Sequence, residues 1–161
     1  MFDNRLRSYR PKWFKPWELV SKAAWSKRRE NVMLGMDAKL LITIDTLREL
    51  LEEIDPSKAV LICNDWNFGG NRQYSGLRLP TDKHYSEFSA HSRGQAVDLV
   101  SRHYSAERLR KIIIDNRERF PYLTRMEKDV NWLHLDVFNL PESAPKGSIM
   151  LFGAKGGAEY V

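Results

Sequence analysis

Two short patches concentrate histidine and carboxylate in β-like sequence: Ser89-Ala-His91-Ser-Arg-Gly94-Gln-Ala96-Val-Asp98 and Trp132-Leu-His134-Leu-Asp136. Asp98 interrupts the apolar run Ala96-Val97-Leu99-Val100, and His134 interrupts Trp132-Leu133-Leu135. An unpaired ionisable group in such a run is costly, so something must satisfy each of them. Two imidazoles and one carboxylate make a sound three-ligand set for zinc, with a fourth position left for water, as in catalytic sites. The competing reading is that these groups only hydrogen-bond within a core. On the residues alone both stand.

The elements that must position these groups are legible from periodicity. A first helix is expected from Pro16, suited to the first helical position, through the WELVSKAAW run, with Trp17, Val20 and Ala24 packing as core. The clearest helix follows Asp37 as N-cap and carries Leu40, Leu41, Ile44, Leu47, Leu51 and Ile54 as one stripe until Asp55-Pro56 stops it. Residues 59–63 read as a buried strand. The long segment to about Ser89, rich in Gly, Asn and aromatics, has the length of a functional connection. A strand is expected over 95–101, then a helix capped by Ser105 with Leu109, Ile112 and Ile113 inward. Residues 123–128 and 132–138 read as a hairpin, 148–152 as a last strand, and the Gly-rich tail as coil.

Composition bounds the function. The 161 residues suit one domain, 1–161, and no apolar run approaches the roughly 20 residues that span a bilayer. The N-terminus lacks a signal-peptide stretch, which points to the cytoplasm. The single cysteine, Cys63, excludes an intramolecular disulfide and any multi-thiolate metal site. Net charge is +5, and residues 1–30 hold nine Lys/Arg against three Asp/Glu. With Trp13, Phe14, Trp17 and Trp25, this basic segment could meet nucleic acid or an anionic polymer. No nucleic-acid motif accompanies the charge, and packing of Trp17, Val20 and Ala24 as core is the simpler expectation.

Taken together, the patches resemble the zinc D-alanyl-D-alanine carboxypeptidase and L-alanyl-D-glutamate endopeptidase family, which includes phage endolysins. Its S-x-H-x-x-G-x-A-x-D signature is matched by Ser89, His91, Gly94, Ala96 and Asp98, its W-x-H-x-D by Trp132, His134 and Asp136, and an upstream S-G-x-R by Ser75, Gly76 and Arg78. The likeness runs from about Ile62 to Phe138.

The resemblance implies an α+β fold of Hedgehog/DD-peptidase type, with a small antiparallel sheet and flanking helices. His91, Asp98 and His134 would bind Zn2+. Arg78 would stabilise the scissile carbonyl oxygen or bind a substrate carboxylate, and Ser89 would orient the His91 loop or bind substrate. Gly94 would let the backbone turn, Ala96 would leave room, and Asp136 would fix the hairpin or support a ligand.

One departure matters. The glutamate that many members place three residues before the second histidine is Asn131 here, so Glu127 becomes the expected general base, with Asp129 as fallback. A two-residue turn at Asp129-Val130 would pair Glu127 with Trp132 and Arg125 with His134, putting Glu127 on the metal side. The implied substrates are D-amino-acid-containing stem peptides of peptidoglycan. A phage or prophage endolysin would stay in the cytoplasm until released to the cell wall, with the basic N-terminus on anionic wall polymer. The alternative is a zinc-holding but non-catalytic wall-binding or virion module, as in the Hedgehog domain.

Overall fold

The computed structural model describes residues 2–153 and 156–161. Three α-helices, α1 (Lys22–Arg28), α2 (Ala38–Ile54) and α3 (Ala106–Asp115), accompany six short strands, β1 (Leu61–Ile62), β2 (Ala96–Ser101), β3 (Arg125–Glu127), β4 (Leu133–Asp136), β5 (Met150–Phe152) and β6 (Ala158–Tyr160). The strands form one sheet in the order β1-β2-β4-β3-β5-β6, and with the helices they make an α+β fold. All neighbours are antiparallel except β3 and β5, so the sheet is mixed rather than purely antiparallel.

Strand alternation divides the sheet into two faces. Val97 and Leu99 of β2, Leu133 and Leu135 of β4, Met126 of β3 and Leu151 of β5 join one hydrophobic cluster with the inner stripes of α2 and α3. Each fully buried side chain there contributes roughly 1.5–3 kcal/mol. The opposite face carries Ala96, Asp98, His134, Asp136, Arg125 and Glu127. The fold thus fixes the ionisable groups by burying the residues between them.

The helices start and stop for local reasons. Asp37 caps α2 by accepting from the Lys39 N–H at 2.9 Å, and extended Asp55 ends it before Pro56. Ser105 caps α3 through the Arg108 N–H. Ile54, expected in the buried stripe, is 50% exposed because no further turn follows to cover it. Among the described residues no helix is long and apolar enough to cross a membrane.

The expected helix from Pro16 is broken. A 3-10 turn over Pro16–Leu19 ends at Val20, which is extended and bridges to Leu77, and Ser21 then caps a new helix through the Ala24 N–H. The Leu77 N–H donates to the Leu19 carbonyl at 2.9 Å, and this bond across the fold outweighs helical continuity. Val20 and Ala24 are buried as expected, and Phe14 is buried too, while Trp17 is half-buried and Trp13 exposed. In the 59–63 run Ala59, Leu61 and Cys63 are buried but Val60 is 55% exposed, since this edge strand is covered on one face only. The tail, expected as coil, supplies β6, whose backbone pairs with β5 although its side chains are exposed.

The hairpin register also differs from the two-residue turn. Arg125 pairs with Asp136 and Met126 with Leu135, a shift of two residues. Continued by one rung, this register puts Glu127 opposite His134 rather than Trp132. Because strand alternation has a period of two, Glu127 keeps the expected face. The longer turn has a physical anchor. Asp129 takes φ 64°, and the buried Arg110 of α3 donates to the carbonyls of Glu127, Val130 and Trp132 at 3.1, 3.2 and 3.3 Å.

Candidate metal centre

His91 sits in a 3-10 turn, Ala90–Arg93, between two chain-reversing devices. Ser89 caps the turn, its Oγ accepting from the His91 N–H at 3.3 Å, and Gly94 ends it at φ 67°. A Cβ on Gly94 would lie 1.8 Å from the Gly35 carbonyl oxygen, and one on Gly76 would lie 2.0 Å from that of Leu19. Both glycines are therefore required by close backbone approach, and Gly94 by its positive φ as well. Through these contacts the N-terminal third braces the two loops that carry His91 and Arg78.

The three expected ligands converge. His91, Asp98 and His134 each offer a ligand atom, all within 4.8 Å of one another. Asp98 on β2 faces His134 on β4 across the ladder, with Asp98 Oδ1 2.8 Å from His134 Nδ1 and 3.4 Å from His91 Nε2. His91 Nδ1 lies 2.9 Å from the Gly76 carbonyl, an obligate acceptor, so that nitrogen carries the proton and Nε2 is left to ligate. His134 Nε2 lies 3.0 Å from Asp136 Oδ2, so by the same reasoning it donates and Nδ1 faces the cluster.

The charges agree with this arrangement. Burial favours a neutral Asp98, but the hydrogen bond from His134 and the nearby His91 ring outweigh it and hold the carboxyl well below the usual range. Burial alone would depress His134, yet Asp136 and Asp98 push it up to about 9. The His134 ring thus lies between two carboxylates, Asp136 and Asp98. A divalent cation at this point would replace a proton, which is the chemistry expected of a metal centre. Two imidazoles and a carboxylate, each imidazole oriented through its other nitrogen, fit zinc and leave a position open.

Arg78 adjoins the cluster. Its Nη2 donates to Asp98 Oδ2 at 3.2 Å and its Nε to the Tyr74 carbonyl at 2.7 Å, and burial lowers its pKa against the opposing pull of Asp98. A cleft of about 250 Å³ opens beside it, lined in part by Tyr74, His84, Asp98 and Trp132. A larger cavity of about 770 Å³, bordered by Glu18, Phe68 and His103, does not touch the cluster.

Of the other expected site residues, Ser89 acts as the cap of the His91 turn, the first of its two expected roles. Glu127 is half-buried on β3, on the same rung as His134 when the hairpin register is continued, and among the described residues its carboxylate takes no hydrogen-bond partner. It is not one of the converging ligands. Asn131 and Asp129 are exposed in the turn.

Three arginines that the motifs do not name hold the site in place. Arg72 bonds to the carbonyls of Cys63 and Asp98 and to Ser75 Oγ, tying the Ser75–Arg78 loop to β2. Arg110 holds the β3–β4 turn, and Arg125 clamps Asp136 with contacts of 2.8, 2.9 and 3.1 Å. Only Arg125 had a signal, namely its place opposite the W-x-H-x-D segment in a hairpin. No family model, curated protein or solved structure matches the chain.

Proposed function

We propose that the protein is a zinc-dependent peptidase of the Hedgehog/DD-peptidase fold that cleaves D-amino-acid-containing stem peptides of bacterial peptidoglycan, in the role of a phage or prophage endolysin. The observation that carries this reading is the convergence of His91, Asp98 and His134 with Arg78 alongside. These are the positions that the motif resemblance names.

Zinc, when bound, supplies Lewis acidity and lowers the pKa of water toward ~7. The chain's own residues do the rest. The cleft walled by Tyr74, His84 and Trp132 receives the peptide. Arg78, half-buried and held at its Nε, presents a guanidinium to the oxygen on which charge develops, or to a substrate carboxylate. Glu127, on the same sheet face as His134, takes the proton of the attacking water and returns it to the leaving amine. Ser89 and Gly94 hold the His91 turn, and Asp136 holds the His134 ring.

The protein would leave the cytoplasm on lysis and act at the wall. Arg10 and Lys12 pair with Glu30 and Glu49, so contact with an anionic wall polymer would fall to the exposed Arg7, Lys15, Lys22, Lys27, Arg28 and Arg29. The test is cleavage of purified muropeptides by zinc-loaded protein, lost on chelation and restored by zinc. Stoichiometric zinc without cleavage would instead favour a non-catalytic wall-binding or virion module.

A further inference from the structure

The sheet sets two adjacent cross-strand rows on its open face. One runs Asp98, His134, Glu127, Phe152, and the next runs Ala96, Asp136, Arg125, Met150. The first row carries two of the proposed ligands. The second carries none, yet it holds the most heavily bonded carboxylate of the site. Asp136 is fully buried, and its two oxygens accept from Arg125 Nε and Nη2, from the Phe138 N–H at 3.1 Å and from His134 Nε2. Arg125 is itself seated, its guanidinium lying 4.7 Å from the Phe138 ring centre and 5.3 Å from that of Phe152. Phe152 in turn packs edge-on against the His134 ring at 5.6 Å.

We infer that Arg125 is a positioning residue of the metal centre: by clamping Asp136 in a two-point grip it fixes the His134 ring with Nε2–H toward Asp136 and Nδ1 toward the ion. The inference rests on the metal reading above. A carboxylate held by one bond can swing, and an imidazole whose far nitrogen has a swinging partner can flip or change tautomer. The bidentate fork removes both freedoms, because a planar guanidinium matches a carboxylate at two atoms. It also keeps Asp136, two residues from a ligand, bonded away from the ion. That leaves three protein ligands and an open position. Lysine would supply the charge without the fork.

The experiment measures zinc affinity by competition with a chromophoric chelator, at a temperature where each variant is folded, together with 15N spectra of the histidine rings in the zinc-loaded state. Wild type should show His134 as a single Nε2–H form. Arg125→Gln and Asp136→Asn should bind zinc roughly ten- to a hundredfold more weakly, the scale found for partners that orient a metal-bound histidine, and His134 should show mixed ring states. Arg125→Lys should fall between them and wild type. An arginine that only supports the fold would lower the melting temperature of the metal-free variants and leave both readouts unchanged. If Arg125→Gln does not fold, Arg125→Lys and Asp136→Asn decide. Zinc affinity within twofold of wild type, with an unchanged His134 spectrum, overturns the inference while the metal centre stands. Failure of wild type to bind zinc overturns both.

Discussion

Asp98 and His134 stand directly opposite each other on β2 and β4, and their side chains meet with Asp98 Oδ1 2.8 Å from His134 Nδ1. The ladder that sets this distance is held by Val97, Leu99, Leu133 and Leu135 on the other face, all buried. The precision of this pair is therefore a consequence of core packing, and of the three converging donors only His91 depends on a loop.

Zinc should bind in about one equivalent, because three converging donors and an open position describe a mononuclear site. His91→Ala and His134→Ala should each abolish tight binding. Zinc at a hundredfold above its dissociation constant should stabilise the wild type by about 2.7 kcal/mol and leave both variants unaffected. Metal analysis and thermal unfolding with and without zinc check this, and full occupancy in both variants would refute the ligand assignment.

Arg78→Ala should retain zinc while turnover falls by roughly two to three orders of magnitude, the scale of losing one preorganised donor to a developing oxyanion. Steady-state kinetics on a defined muropeptide, paired with metal content, is the check. Unchanged kcat and KM would put Arg78 outside the reaction.

Glu127→Gln should keep fold and zinc yet lose more than about a hundredfold in turnover, as expected for a positioned base. Asp129→Asn should stay near wild type, because that side chain is exposed in the turn. The reverse pattern would transfer the role to Asp129.

Gly94→Ala should lower stability by more than about 2 kcal/mol and weaken zinc binding, since the new methyl meets the Gly35 carbonyl and the backbone has a positive φ. Gly147→Ala is the control. Its φ is also positive, at 76°, but nothing lies within 4 Å, so only the backbone cost of about 1 kcal/mol is expected. Equal losses in urea unfolding would remove close approach as the reason for Gly94.

How far the sequence foretold these features depended on how local their causes are. Helices α2 and α3 were legible because Asp37 and Ser105 cap them and their apolar stripes have helical period. The converging donors were legible because His91, Asp98 and His134 sit in motif patterns and two of them break apolar runs. The break at Val20 was hidden because its partner, Leu77, is far along the chain. The parallel pairing of β3 with β5 and the existence of β6 depend on backbone bonds between segments of three residues, too short for periodicity to register. The hairpin shift followed from Arg110, whose bonds to three turn carbonyls no pattern in the turn announces. Parity survived the shift, so the face assigned to Glu127 survived with it.

The most direct test of the central claim is mass spectrometry of the products formed when zinc-loaded protein meets purified muropeptides of known stem sequence. The account predicts a single hydrolytic cut within the stem, either release of a terminal D-alanine or separation of L-alanine from D-glutamate, absent after chelation and in His134→Ala. Unaltered muropeptides in the presence of protein carrying one equivalent of zinc would contradict it.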